Sequence, residues 1–348
     1  MIEEILSLSP ILLAVVAAAL LFDFVNGWND SANAIATVVS TRVLTPLKAL
    51  ALASVLNMVG AMAGTAVAKT IVTGLVRTGE GFLQPEMVIL VVLSAMIGAI
   101  IWAAWMTLIG MPISGSHSLV GGLVGASVAA AGVKVLIGSG IIKILVAMLL
   151  SPLLGGLVGC GTILILIQIF KNSRPVFVSK LFSFLQIVSA GFMSFTHGLN
   201  DAQKVMGIIT MALIAGKVQA VGPNGEVDPE LWVKLSCGLM IALGTAVGGW
   251  KVIRTLGVSL SKLRPIDGFA AETAAGIVLT GAAALGVPVS TTHTITGGIM
   301  GVGASKGLSS VRWIVGQKII LAWIFTLPAT SLLAGAVYWI LAVRMGLI

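Results

Sequence analysis

The sequence predicts an all-α integral membrane protein made of two inverted-topology repeats. Each repeat has about five transmembrane segments, for 10–12 spans in total, with broken half-helices at the centre. Three observations predict this. The 348 residues are 58% apolar and only 9% charged, whereas a soluble domain carries about a quarter charged residues. Runs such as 11–22, 87–106 and 145–169 approach or exceed the roughly 20 apolar residues that cross a hydrocarbon core of about 30 Å. Two polar motifs each occur twice, in the same order.

The first motif, Gly27-Trp28-Asn29-Asp30, returns 171 residues later as Gly198-Leu199-Asn200-Asp201. In the second, Gly110 to His117 followed by Gly121 and Gly122 returns 176 residues later as Gly286 to His293 followed by Gly297 and Gly298. Duplication of this kind sets the architecture before any local reading does. The apolar segments fall at 8–26, 49–68, 87–109, 115–133 and 140–170, then at 183–199, 231–250, 269–286, 291–305 and 313–343. The expected organisation is therefore repeat 1 over 1–170, a cytoplasmic linker over 171–182, and repeat 2 over 183–348. An odd number of crossings per repeat turns the second copy upside down, the plan of many secondary transporters.

Charge placement gives the orientation, because cytoplasmic loops collect Lys and Arg. With the amino terminus outside, the inner loops hold Arg42, Lys48, Lys171, Arg174, Lys180, Lys251, Arg254, Lys262, Arg264, Lys306 and Arg312. The outer loops hold fewer basic residues together with Glu226, Asp228 and Glu230. Both termini are expected outside the cytoplasm of a cell (inner) membrane. The start, Met1-Ile2-Glu3-Glu4, has neither a basic region nor a small-residue cleavage site, so the first segment reads as a retained helix. The net charge of +8 sits in short loops without interleaved aromatics, which argues against nucleic acid. The 42 glycines suit helices packed closely in lipid. Cys160 and Cys237 are isolated in apolar surroundings and read as packing residues.

A carboxylate inside a membrane segment is costly and marks a functional candidate. Asp30 and Asp201 are such a pair. Asp23, Asn26, Asp30 and Asn33 follow i, i+3, i+7, i+10 and form one stripe on a helix. In the second motif, Pro112 and Pro288 precede Ser114-Gly115-Ser116 and Ser290-Thr291-Thr292. Pro stops the incoming helix and Ser or Thr caps the outgoing one. Two helix amino termini facing each other make an anion site without Lys or Arg. A cation held by Asp30 and Asp201 would relieve the repulsion between those aspartates and the anion, and their hard oxygen ligands suit Na⁺. Asp23 and Asn26 join this cation set. Asn33, His117, Lys204, Glu272 and His293 are expected to stand behind it.

The copies differ, since Asp23 aligns with Ser194, Asn26 with His197 and Asn33 with Lys204. Lys204, three residues after Asp201, is expected to pair with that carboxylate or with the substrate. His117 and His293 would orient the capped loops, and a proton-coupling role is the alternative. Glu272 reads as either an interfacial anchor or a carboxylate behind the site. A Ser-His-Asp hydrolase is disfavoured because it needs one asymmetric set, whereas Ser and His recur here in matched positions. A cation-independent anion channel is a third reading.

Both motifs, each present twice, closely resemble the signatures of the inorganic phosphate transporter (PiT) family, and the resemblance covers essentially the whole chain. It implies inverted repeats, inorganic phosphate as substrate, Na⁺ or H⁺ as driver, and no catalytic residues. By similarity the phosphate and cation sites fall at Asn29, Asp30, Ser114, Gly115, Ser116, Asn200, Asp201, Ser290, Thr291 and Thr292. The family's first motif often continues Asp-Val-Ala-Asn. Here it reads Asp30-Ser31-Ala32-Asn33 and Asp201-Ala202-Gln203-Lys204, a departure that bears on ion stoichiometry. The short linker resembles a compact prokaryotic version, and a homo-oligomer is compatible with it. Proton-coupled carriage of phosphate or its metal complex, and sulfate permeation, remain as alternatives within transporters.

Overall fold

The computed structural model describes residues 8–79, 81–222 and 227–346, so Met1 to Glu4 and Glu226 lie outside the described residues. Among the described residues, twelve α-helices account for the architecture and no strand forms. In the first half these are α1 (Pro10–Ser40), α2 (Pro46–Ala61), α3 (Ala66–Gly74), α4 (Pro85–Ile109), α5 (Gly115–Ala131) and α6 (Gly138–Phe170). The second half runs through α7 (Pro175–Ala215), α8 (Leu231–Val247), α9 (Trp250–Arg254), which continues as a π turn over Thr255–Ser259, α10 (Pro265–Ala284), α11 (Thr291–Ala304) and α12 (Trp313–Arg344). Proline opens α1, α2, α4, α7 and α10, where its fixed φ suits the first turn and its missing N–H leaves nothing unpaired.

The element order is the same in both halves. A long helix leads into a pair bent by 66° in the first half and 65° in the second. A third helix follows, then a short helix, a 3₁₀ turn and a long helix containing Pro152 or Pro328. The ten expected segments all appear as helix, but not as ten full crossings. Five helices (α1, α4, α6, α7 and α12) are long and apolar enough to span, or seven spans if each bent pair counts as one. The 17 residues of α5 and 14 of α11 reach about 25 and 21 Å at about 1.5 Å per residue, short of the hydrocarbon core. The segments expected at 8–26 and 183–199 also prove too short, because α1 and α7 run unbroken through their Asn-Asp motifs. The linker shrinks likewise, since residues 171–174 join α6 to α7 and Pro175 already starts helix.

The halves interlock. α5 lies between α4 and α12, α11 packs on α6 and α10, α2 packs on α7 and α8, and α1 packs on α8. Small residues set these crossings. A Cβ on Gly27 would lie 2.3 Å from the Ile241 carbonyl oxygen, and one on Gly198 would lie 2.1 Å from that of Asn57. Backbone therefore touches backbone at equivalent places in both repeats, as small-residue membrane interfaces allow. Both large apolar cores mix the halves: Phe22, Leu90 and Leu123 share one with Met206 and Tyr338, and Ile35 and Leu50 share the other with Phe182 and Ile299. Apolar side chains such as Leu149, Leu157, Ile314 and Leu332 face outward from α6 and α12, as a lipid-facing surface requires.

Candidate functional site

The punctuation legible in the sequence builds the centre. α4 ends at Gly110 and α10 closes just before Gly286, and both glycines have positive φ, 82° and 63°, the left-handed end that glycine adopts freely. Pro112 and Pro288 bar continuation. The Ser114 and Ser290 side chains then cap α5 and α11, accepting from the His117 N–H at 3.1 Å and the His293 N–H at 3.2 Å. The first N–H groups of each short helix have no carbonyl partner within the helix. They and the helix dipole favour an anion there.

α1 and α7 bring their stripes to these two ends. Asp30 and Asp201 are both buried. Thr292 Oγ1 donates to Asp30 Oδ1 at 2.9 Å, and Thr291 Oγ1 lies 3.5 Å from Asp30 Oδ2 and 3.3 Å from Asp201 Oδ2. Asn26 Nδ2 donates to Asp201 Oδ2 at 3.1 Å, and Asn33 Nδ2 donates to Thr292 Oγ1 at 2.9 Å. Lys204 pairs with Asp201, its Nζ lying 2.7 Å from Oδ1, and also donates to Ser116 Oγ at 2.6 Å. The structure thus joins Asn26, Asp30, Asn33, Ser116, Asp201, Lys204, Thr291 and Thr292 in one buried network that spans both repeats.

A residue not assigned to the site from sequence completes the network. His197 Nε2 lies 3.6 Å from Asp30 Oδ2 and 3.8 Å from Asp201 Oδ2, and the ring is fully buried. Asn57 fixes the ring. Its Nδ2 donates to Thr245 Oγ1 at 2.8 Å, which leaves Asn57 Oδ1 to accept from His197 Nδ1 at 2.9 Å. Nε2 therefore faces the two carboxylates with no other partner among the described residues. Ligand atoms of Asp30, His197 and Asp201 lie within 4.8 Å of one another, close enough to hold one cation. The signal for His197 was its alignment with Asn26 within the polar stripe.

Other candidates stand apart. Asn29 Nδ2 donates to Thr107 Oγ1 and to the Met111 carbonyl, and its Oδ1 accepts from the Ile113 N–H at 3.3 Å, so it clamps the loop leading into α5. Asn200 Nδ2 donates to the Thr196 and Leu279 carbonyls. Asp23 is fully buried, and neither of its oxygens has a hydrogen-bond partner among the described residues. Glu272 is fully buried rather than interfacial, and accepts from Thr37, Ser189 and Gln186. His117 and His293 meet edge to face with centroids 4.6 Å apart, and His293 stacks on Trp323. The two histidines are among the residues lining an otherwise apolar cavity of about 790 Å³ between α6, α11 and α12, whose lining includes none of the carboxylates.

Comparison with known proteins shows the family. The chain is 42% identical over 327 residues to a protein of Bacillus subtilis named a probable low-affinity inorganic phosphate transporter, covering 94% of this chain and 96% of that one. A protein of the same name from Rhizobium meliloti is 42% identical over 331 residues, covering 95% and 96%. A solved structure described as the sodium-dependent phosphate transporter superposes with a TM-score of 0.86 at 27% identity, covering 96% of this chain and all of that one. Residues 26–334, which include both copies of both motifs, match the phosphate transporter family, and the chain belongs to that family.

Proposed function

We propose that this phosphate transporter is a secondary active symporter that carries inorganic phosphate into the cell with Na⁺ by alternating access between two inverted repeats. The charge count at the buried centre carries the reading. Asp30 and Asp201 bring two carboxylates and Lys204 one ammonium, so these three groups alone, before the buried Asp23 is counted, leave one negative charge over where an anion is to bind. A buried charge without a partner is costly. A cation between Asp30 and Asp201 removes that cost and makes the site welcome phosphate, so each ligand binds well only with the other.

Phosphate would lie between the starts of α5 and α11, against Ser116, Thr291, Thr292 and the free N–H groups near Gly115, with Ser114 and Ser290 capping those ends. Asn29 and Asn200 would hold the loops, and Asn26 and Asp23 would extend the cation lining along α1. The chain would lie in the cell membrane.

Uptake of phosphate by the reconstituted protein under inward Na⁺, K⁺ or proton gradients tests the proposal. Stimulation by Na⁺ alone, lost in Asp30→Asn, is expected. Uptake indifferent to every cation gradient would mean a channel and end the symport reading. His197 supports a second reading, in which a proton on Nε2 bridges the two carboxylates and H⁺ replaces Na⁺. Stimulation by the proton gradient alone would select it.

A further inference from the structure

The repeat alignment that pairs Asp30 with Asp201 also pairs Asn33 with Lys204, Thr292 with Ser116 and Ile113 with Val289. On the Asp201 side, Lys204 Nζ lies 2.7 Å from Asp201 Oδ1, 2.6 Å from Ser116 Oγ and 2.9 Å from the Val289 carbonyl oxygen. An ammonium has three donors, and these three oxygens take all of them. Nothing remains for phosphate. A carboxylate, a hydroxyl and a backbone carbonyl around one positive centre are also the ligands that a hard cation takes from a protein.

The Asp30 side shows two of the matching oxygens, the carboxylate and the hydroxyl, and no ammonium among the described residues. Thr292 Oγ1 and Asp30 Oδ1 are 2.9 Å apart, and Asn33 Nδ2 reaches the same hydroxyl at 2.9 Å. Asn33 Oδ1 is buried, with no hydrogen-bond partner among the described residues. An unpaired amide oxygen in a buried polar network needs a partner, and a cation is one partner that it can share with the Asp30 carboxylate across Thr292.

We infer that Lys204 is a tethered cation, its ammonium permanently filling on the Asp201 side the position that a mobile coupling cation fills on the Asp30 side. The chain therefore carries one cation fewer per phosphate than a carrier with both positions open. This inference rests on the cation-coupled reading above. A lysine serving only as a structural ion pair would lower stability when replaced, but would leave the charge moved per phosphate unchanged.

The test is the charge moved per phosphate, read from the membrane potential at which net phosphate flux through reconstituted protein reverses under fixed gradients. This number counts charge whatever the coupling ion. Lys204→Asn, which copies the first repeat, is expected to move one more elementary charge per phosphate than the natural chain. Asn33→Lys, which copies the second, is expected to move one fewer. An active Lys204→Asn protein with the natural charge count overturns the inference. If Lys204→Asn does not transport, equilibrium binding of ²²Na⁺ to purified protein at saturating phosphate replaces flux. One additional Na⁺ per chain supports the inference and an equal number overturns it. The symport reading fails separately, if flux through the natural chain does not respond to any cation gradient.

Discussion

Gly115 stands where the second repeat carries Thr291, and the difference sets how Asp201 is held. A Cβ at Gly115 would fall 1.9 Å from Asn26 Oδ1 and 2.8 Å from its Cγ. Any side chain there pushes Asn26 aside and removes its bond to Asp201 Oδ2. A hydrogen bond to a charged group contributes about 1.5–3 kcal/mol. Gly115→Ala should therefore weaken half-saturation by phosphate by about 10- to 100-fold while the protein stays folded. Measured uptake against phosphate concentration, with thermal unfolding as the control for folding, checks this. Natural half-saturation in the variant would show that Asn26 does not hold the site together.

At the scale of the helix, breaks were easier to read from sequence than continuities. Pro112 and Ser114, Pro288 and Ser290 are backbone and capping signals, and local chemistry alone places the starts of α5 and α11. Asp30 and Asp201 lie just past the apolar segments that end at 26 and 199. A polar cluster after an apolar run resembles a helix end, yet α1 and α7 continue because Thr291, Thr292, Asn26 and Lys204 from other turns and helices satisfy the carboxylates. That partnership is tertiary, and the stripe spacing was its only trace in the sequence. The bend between α2 and α3 is fixed in the same non-local way. Thr65, just before α3, donates to Asp228 Oδ1 at 2.8 Å, and Lys69 lies 3.3 Å from Oδ2.

The Thr65 hydroxyl first, and the Lys69 ammonium with it, hold the Asp228 carboxyl below the usual carboxylate range against an opposing effect of burial. A carboxylate whose pKa is lower folded than unfolded adds stability above its unfolded value, about 3.9. That stability is lost as pH falls through the folded value. The natural protein should thus lose stability below about pH 4 more steeply than Asp228→Asn, by a small margin because the pair is exposed. Thermal unfolding of both proteins across that range reads the difference. Parallel curves would remove Asp228 from the account of the bend.

The whole molecule is one interlocked body, although the sequence divides so cleanly into two. The loops that break its helices show why. Backbone that is not helical is tolerated at membrane depth only where protein satisfies it, and here each repeat's loop takes some of its bonds from the other repeat, beside the Asn29 clamp within the first. Trp323 of the second half donates to the Pro112 carbonyl at 3.2 Å, Thr70 of the first half donates to the Gly286 carbonyl at 2.7 Å, and Ser116 of the first half donates to the Val289 carbonyl at 3.0 Å. The carboxylate network also needs α1 and α7 together. A chain cut in the connection at 171–174 should therefore fail as either fragment alone and recover when both are made in one cell. Fragments 1–170 and 175–348, produced singly and together, give the measurement, with protease resistance in membranes and phosphate uptake as readouts. Protection and uptake only on co-production are expected. A single half that resists protease as well as the intact chain would mean that each repeat satisfies its own broken loop, and the exchanged hydrogen bonds would then contribute little to the fold.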